Sequence, residues 1–124
     1  MKNRFIIFTH GNLGKGLLDT VEFFCGQNEK IKVLSLLKED NIDEKEVEFE
    51  NLIKDSDENL IVFTDLFGGS PNNLALKYKL KYNFSVISGV NLAILIDAVS
   101  NIDLSRDEIM NSINEIKDEV IKIF

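Results

Sequence analysis

A doubly wound α/β domain with a mostly parallel central sheet is the fold the sequence predicts, on two observations. Four short β-branched or aromatic runs, Phe5–Phe8, Ile31–Leu36, Leu60–Phe63 and Phe84–Ile87, lack strict alternation, as strands covered on both faces do. Helical patterns lie between them, and the order strand, helix, strand, helix calls for parallel strands joined by crossover helices. At 124 residues and 44% hydrophobic, the chain has room for a single core, so residues 1–124 are read as one domain.

The elements follow in order. Leu17, Leu18, Val21, Phe24 and Cys25 form one helical stripe, and Gly26 stands where a left-handed cap is cheapest, so the first helix is expected over Leu13–Cys25. The second, between Asp43 and Asp55, carries acids in its first turn that suit the positive end of the helix dipole, and is expected to bury Val47, Phe49, Leu52 and Ile53. A third begins with Ser70 as N-cap and Pro71 at the first helical position, where a missing N–H costs nothing. A fourth covers Asn91–Val99, and a fifth begins at Ser105, spaced from Glu108 as in a capping box. At the C-terminal end Ile109, Ile113, Ile116, Val120 and Ile123 follow the steps of one continuous helix, yet Val120–Phe124 is also a short β-rich run.

Composition narrows the function. The longest apolar stretches, such as Phe5–Phe8 and Leu92–Ile96, fall far short of the roughly 20 residues of a membrane-spanning helix. Four apolar residues after Lys2 and Arg4 are too few for a signal peptide, so a cytoplasmic protein is expected. The single Cys25 cannot form an internal disulfide and reads as a small buried hydrophobe. A net charge of −7 without a cluster of Lys and Arg gives no footprint for nucleic acid. The acidic runs Glu39–Glu50 and Asp55–Glu58 read as solvated surface.

Two segments carry chemistry: Thr9-His10-Gly11-Asn12-Leu13-Gly14 after the first strand, and Thr64-Asp65-Leu66-Phe67-Gly68-Gly69-Ser70-Pro71 after the third. Both lie at carboxyl ends of strands, the edge where open parallel sheets bind ligands, and strands one and three are neighbours in most doubly wound orders. His10 and Asp65 are therefore expected within reach of each other. His10 is the only histidine, which excludes a His-rich metal site. By itself it reads equally as a turn residue, and Asp65 as a loop-forming one. Together they suggest more: an aspartate on one ring nitrogen fixes the tautomer and leaves the other nitrogen a lone pair, which makes an oriented nucleophile able to accept a phosphoryl group. Gly68, Gly69 and Ser70 lead into a helix whose amides and dipole favour an anion, with Ser70 either capping that helix or holding a phosphoryl oxygen. Without the Lys and spacing of a P-loop, the turn does not support nucleotide binding.

The segments Thr9-His10-Gly11, the helix ending in Gly26, Thr64 through Ala75, and Ser88-Gly89-Val90-Asn91-Leu92 together resemble the enzyme IIA component of the mannose-family phosphoenolpyruvate-dependent sugar phosphotransferase system. The resemblance spans nearly the whole chain in order and spacing. It implies phosphorylation of His10 at Nε2, Asp65 orienting Nδ1, and Ser70 with backbone amides at Gly11, Gly68 and Gly69 steadying the phosphoryl group. It also implies the phosphocarrier protein HPr as donor, an enzyme IIB component as acceptor, the IIC and IID membrane components beyond it, and no metal or cofactor. A further implication is a homodimer in which a C-terminal strand of about five residues is exchanged and pairs antiparallel with the partner's sheet; covering an apolar segment and a sheet edge at once favours this over a lone helix turn.

The chain departs from the pattern in two places. Some relatives continue through a linker into IIB, whereas this sequence stops at Phe124, so IIB is expected as a separate chain. Residues Asn12, Gly14 and Lys15 are small or polar where relatives carry bulkier groups, which bears on partner choice. Competing readings are the related phosphoryl-transfer subunit of dihydroxyacetone kinase, disfavoured by Gly-Gly-Ser-Pro, and a receiver domain phosphorylated on Asp65, disfavoured because Thr9 and His10 stand where an acidic magnesium pair would be needed. A binding module with an idle histidine is the third.

Overall fold

The computed structural model describes residues 3–54 and 59–124. Its elements in chain order are β1 (Arg4–His10), α1 (Leu13–Cys25), β2 (Ile31–Leu36), α2 (Ile42–Ile53), β3 (Leu60–Thr64), α3 (Ser70–Lys79), β4 (Phe84–Ser88), α4 (Leu92–Ser100) and α5 (Arg106–Ile116). The four strands form one parallel sheet in the order β2-β1-β3-β4, with Phe8 opposite Leu34 on one side and Thr64 on the other. Among the described residues no helix is long and apolar enough to cross a membrane.

Alternate side chains of each strand enter opposite layers, as the period of two requires. Phe5 and Ile7 join Val21, Phe63, Leu95 and Ile109 in the layer beneath α1, α4 and α5, while Ile6 and Phe8 join Phe49, Ile53, Val62, Leu74 and Phe84 beneath α2 and α3. Phe5 meets Phe63 edge-on at 5.3 Å and Phe8 stacks on Phe49 at 5.1 Å. Each buried phenyl contributes about 1.5–3 kcal/mol relative to exposure. This two-sided burial is why the strand runs are apolar without alternating.

Some expectations need correction. Phe24 is exposed on α1 and Val47 on α2, because each helix has one sheet-facing stripe and both residues fall outside it. Cys25 is only half-buried, its Sγ 3.7 Å from Ser100 Oγ. The second helix is Ile42–Ile53, capped by Asn41 Oδ1 accepting from the amides of Asp43 and Glu44. Its expected end at Asp55 and the acidic run to Glu58 lie outside the described residues. At α5, Ser105 Oγ accepts from Glu108 N as the capping box requires, but the Glu108 carboxylate turns to the Ser105 hydroxyl. One continuous C-terminal helix does not form: α5 ends at Ile116 and residues 121–124 have no regular structure in the single chain.

Candidate functional site

The order β2-β1-β3-β4 makes the gap between β1 and β3 the switch point of the sheet. The chain leaves β1 for α1 on one face and leaves β3 for α3 on the other, so the two following segments diverge and open a crevice. His10 sits there as the last residue of β1, not in the loop after it, and Asp65 directly follows β3. Gly11 turns the chain at φ +56°, a conformation that favours glycine, while its N–H donates to Leu36 O at 2.8 Å. Thr9, fully buried, accepts from Gly14 N at 2.8 Å and ties the first turn of α1 to the end of β1.

Asp65 grips His10 twice. Its Oδ2 accepts from the His10 backbone N–H at 3.0 Å and lies 3.0 Å from Nδ1, with Oδ1 3.2 Å from the same ring nitrogen. A carboxylate only accepts, so Nδ1 carries the hydrogen, and in the neutral ring Nε2 keeps the lone pair. The Asp65 side chain is 11% exposed and that of His10 44%, so the orienting group is sheltered and the ring is open to a visitor.

The other side of the ring meets the start of α3. Here the expected cap moves by one residue: Gly69 is the N-cap, with φ −76° and ψ 164°, and its carbonyl accepts the first helical bond from Asn73 N at 2.9 Å. Ser70 is thus the first helical residue and Pro71 the second. Freed from capping, Ser70 lines a cleft of about 550 Å³ together with His10, Gly11, Leu36, Leu37, Lys38, Asp40 and Ile42. As first residue of the helix, Ser70 also has an N–H without an intrahelical acceptor. The Gly69 N–H is already given to Leu66 O at 3.0 Å. Among the described residues no group of three or more His, Cys, Asp or Glu gathers as a metal site would need.

Residues 4–117 match the EIIA-man family, the PTS system fructose IIA component. The chain belongs to this family. EIIA-man domains are components of the sugar phosphotransferase system, and this one shares their phosphotransfer role. A PTS IIA protein associated with the fucose utilization operon of Streptococcus pneumoniae is 30% identical, with a TM-score of 0.81 over 98% of this chain and 98% of that one. Phosphotransferase system component EIIA from Streptococcus agalactiae is 26% identical, with a TM-score of 0.89 over 98% of this chain and 96% of that one. At 24% identity, the mannose/sorbose specific IIA subunit from Enterococcus faecalis shares the fold, with a TM-score of 0.88 over 100% of this chain and 96% of that one.

Several members of the site in this EIIA-man domain gain a role only from the fold. The wall Leu36, Leu37, Lys38, Asp40 and Ile42 comes from the end of β2, the turn after it and the first residue of α2; β2 adjoins β1, so the carboxyl end of the second strand is the available clue. Buried Asn72 accepts the Thr64 hydroxyl at 2.9 Å, pinning the residue before Asp65 to α3. Leu66 and Phe67, on the loop that carries Asp65, stand exposed, Phe67 by 80%.

Proposed function

We propose that this chain accepts a phosphoryl group on His10 Nε2 from the phosphocarrier protein HPr and passes it to an enzyme IIB component, which phosphorylates sugar entering through the IIC and IID membrane components. The observation that carries this reading is the one-sided hydrogen bonding of the ring, with Asp65 engaging Nδ1 and leaving Nε2 free beside an open cleft. In the forward step the Nε2 lone pair forms a bond to phosphorus while the donor's N–P bond breaks and its electron pair returns to the donor's imidazole. No proton has to move. The Nδ1–H stays in place, and the positive charge the ring acquires is set against the Asp65 carboxylate. In the return step the acceptor's nucleophile attacks phosphorus and the N–P electrons return to Nε2.

Ser70 offers its hydroxyl and N–H to the phosphoryl oxygens at a helix N-terminus, where an anion is favoured. Gly68, at φ +88°, and Gly69 shape the turn that brings this helix end to the ring. Because the amides of Gly11 and Gly69 are already bonded, those two residues do not serve as donors to the phosphoryl group. The exposed Leu66 and Phe67 give a protein partner an apolar surface on the loop that carries Asp65. This role places the carrier in the cytoplasm, and nothing in the step calls for a cofactor.

The test is incubation with phosphoenolpyruvate and the general phosphocarriers, followed by a panel of IIB proteins. Acid-labile, alkali-stable phosphate on His10 that moves to a IIB supports the reading. Phosphate on another residue, or none, overturns it, and transfer only to the dihydroxyacetone kinase system reassigns the acceptor.

The reading extends to a homodimer with exchanged C-terminal strands. Strand β4 is an edge of the sheet, and a groove beside it is lined by Val86, Ile87, Ser88, Val120 and Ile121, among others. Ile121, Ile123 and Phe124 are exposed in the single chain, an arrangement that strand addition to a second copy would cover. Deleting residues 120–124 is expected to convert a dimer to monomer or aggregate in light scattering. A monomeric full-length protein at tens of micromolar, or a truncated form that remains a stable dimer, defeats the exchange while leaving the phosphocarrier reading intact.

A further inference from the structure

Adjacent glycines at the start of α3 have opposite reasons for being glycine. Gly68 has φ +88°, a left-handed backbone that any side chain strains, and a Cβ placed there would meet nothing within 4 Å. Gly69 has φ −76° and ψ 164°, an extended backbone open to any residue, yet a Cβ there would lie 2.7 Å from His10 Cε1 and 3.4 Å from His10 Nε2. Conformation demands the first glycine. Space for the imidazole demands the second.

We infer that Gly69 is a positioning residue for His10: its bare Cα lets the ring seat against the first turn of α3 while Nδ1 stays on Asp65. Cε1 is bonded to both ring nitrogens, so any atom that displaces it moves Nδ1 relative to Asp65 and Nε2 relative to Ser70 together. Leu66 O, 3.3 Å from the same added Cβ, limits retreat of the turn, because that carbonyl also holds the Gly69 N–H. The ring, a side-chain end with two rotatable bonds, is the part that yields. Alanine at 69 therefore leaves the nucleophile, its aspartate and its helix in the protein but out of register. This consequence for rate rests on the phosphocarrier reading; the consequence for ring placement does not.

The test compares Gly69→Ala with wild type and with Gly16→Ala, a glycine of α1 whose added Cβ meets nothing within 4 Å. Nitrogen-15 NMR of the single imidazole reads the ring. Wild type and Gly16→Ala are expected to show one tautomer with the proton on Nδ1, and Gly69→Ala a mixture, with phosphorylation slowed about a hundredfold, the order expected for a reacting group misplaced by about an ångström. An imidazole spectrum unchanged in Gly69→Ala overturns the inference whatever the rate. A displaced ring with a wild-type rate removes Gly69 from the transfer mechanism.

If wild type takes no phosphate, the phosphocarrier reading fails while the spectra still decide ring placement. Where Gly69→Ala folds poorly, urea unfolding in the His10→Ala background decides: the midpoint loss caused by Gly69→Ala is expected to shrink once the ring is gone. An equal loss in both backgrounds shows that no collision existed.

Discussion

The carboxylates at two places in this protein do opposite work with similar chemistry. On the flank where α2 meets α3, Glu46 Oε2 accepts from Lys77 Nζ and from the Tyr78 hydroxyl, both at 2.6 Å. One helical turn later Glu50 Oε2 accepts from Lys81 Nζ at 3.0 Å and the Tyr82 hydroxyl at 2.8 Å. The lysine nitrogens also lie 5.5 Å and 5.2 Å from the two tyrosine rings, and the rings stack on each other at 6.4 Å. Here donors and acceptors end on one another, and the pairs act as fastening. At the crevice Asp65 satisfies the His10 backbone and Nδ1, and among the described residues the bonding stops there. In the proposed function that polar pair is reactive because one member keeps an unspent valence in an open cleft.

Removing that valence is the largest test of the contrast. His10→Ala is expected to abolish phosphorylation while leaving the circular dichroism spectrum native and the melting temperature within a few degrees, because the half-exposed ring contributes little to the core. Phosphate still taken up by this variant would move the nucleophile elsewhere.

A smaller effect follows from keeping the ring and corrupting its partner. In Asp65→Asn the amide oxygen can still accept from the His10 backbone and lies 3.0 Å from Nδ1, but Oδ1, 3.2 Å from the same nitrogen, is replaced by a competing NH₂. Donation from it favours the tautomer with hydrogen on Nε2, which has no lone pair to give. Transfer is expected to slow by about ten- to a thousandfold in single-turnover kinetics, with His10 still the labelled residue. Unchanged kinetics would reduce Asp65 to a loop brace.

How much of this was legible beforehand depends on what each residue answers to. The strands showed because burial on both faces forces apolar runs, and the meeting of His10 with Asp65 followed from placing both at carboxyl ends of neighbouring strands. The cap at Gly69 did not show: Ser70 is the better capping side chain, but the loop geometry starts the helix one residue earlier. Space was equally hidden, since nothing in Gly-Gly says that one glycine serves a turn and its neighbour serves a ring two strands back in the sequence. Glu46 and Glu50 look like solvated acidic surface in the sequence because their partners come from α3 and the turn after it, and pairing between helices leaves no local pattern.

The smallest expected effect belongs to that flank, and its pH dependence is its signature. The hydrogen bond from Lys77, followed by that from Tyr78, holds the Glu46 carboxyl below its ordinary value of 4.5, and Lys81 followed by Tyr82 does the same for Glu50. A carboxylate with a folded-state pKa below its unfolded one adds stability that is complete above the unfolded value and is lost as pH falls through the folded one. Lys81 runs the other way: raised above 10.5, first by its bond to Glu50, it adds stability below that value which is lost as pH climbs through the folded one. The lysine ends are mostly exposed, at 62% and 64%, so water and salt screen both pairs. Glu46→Gln with Glu50→Gln is therefore expected to lower the urea midpoint slightly at pH 7, by less in high salt, and to flatten the decline of stability below pH about 4.5. Phosphorylation of His10 should be untouched, since neither glutamate lines its cleft. A double variant as acid-sensitive as wild type would show that the ladder contributes nothing, and one that slowed phosphorylation would show that fastening and site are coupled through α3.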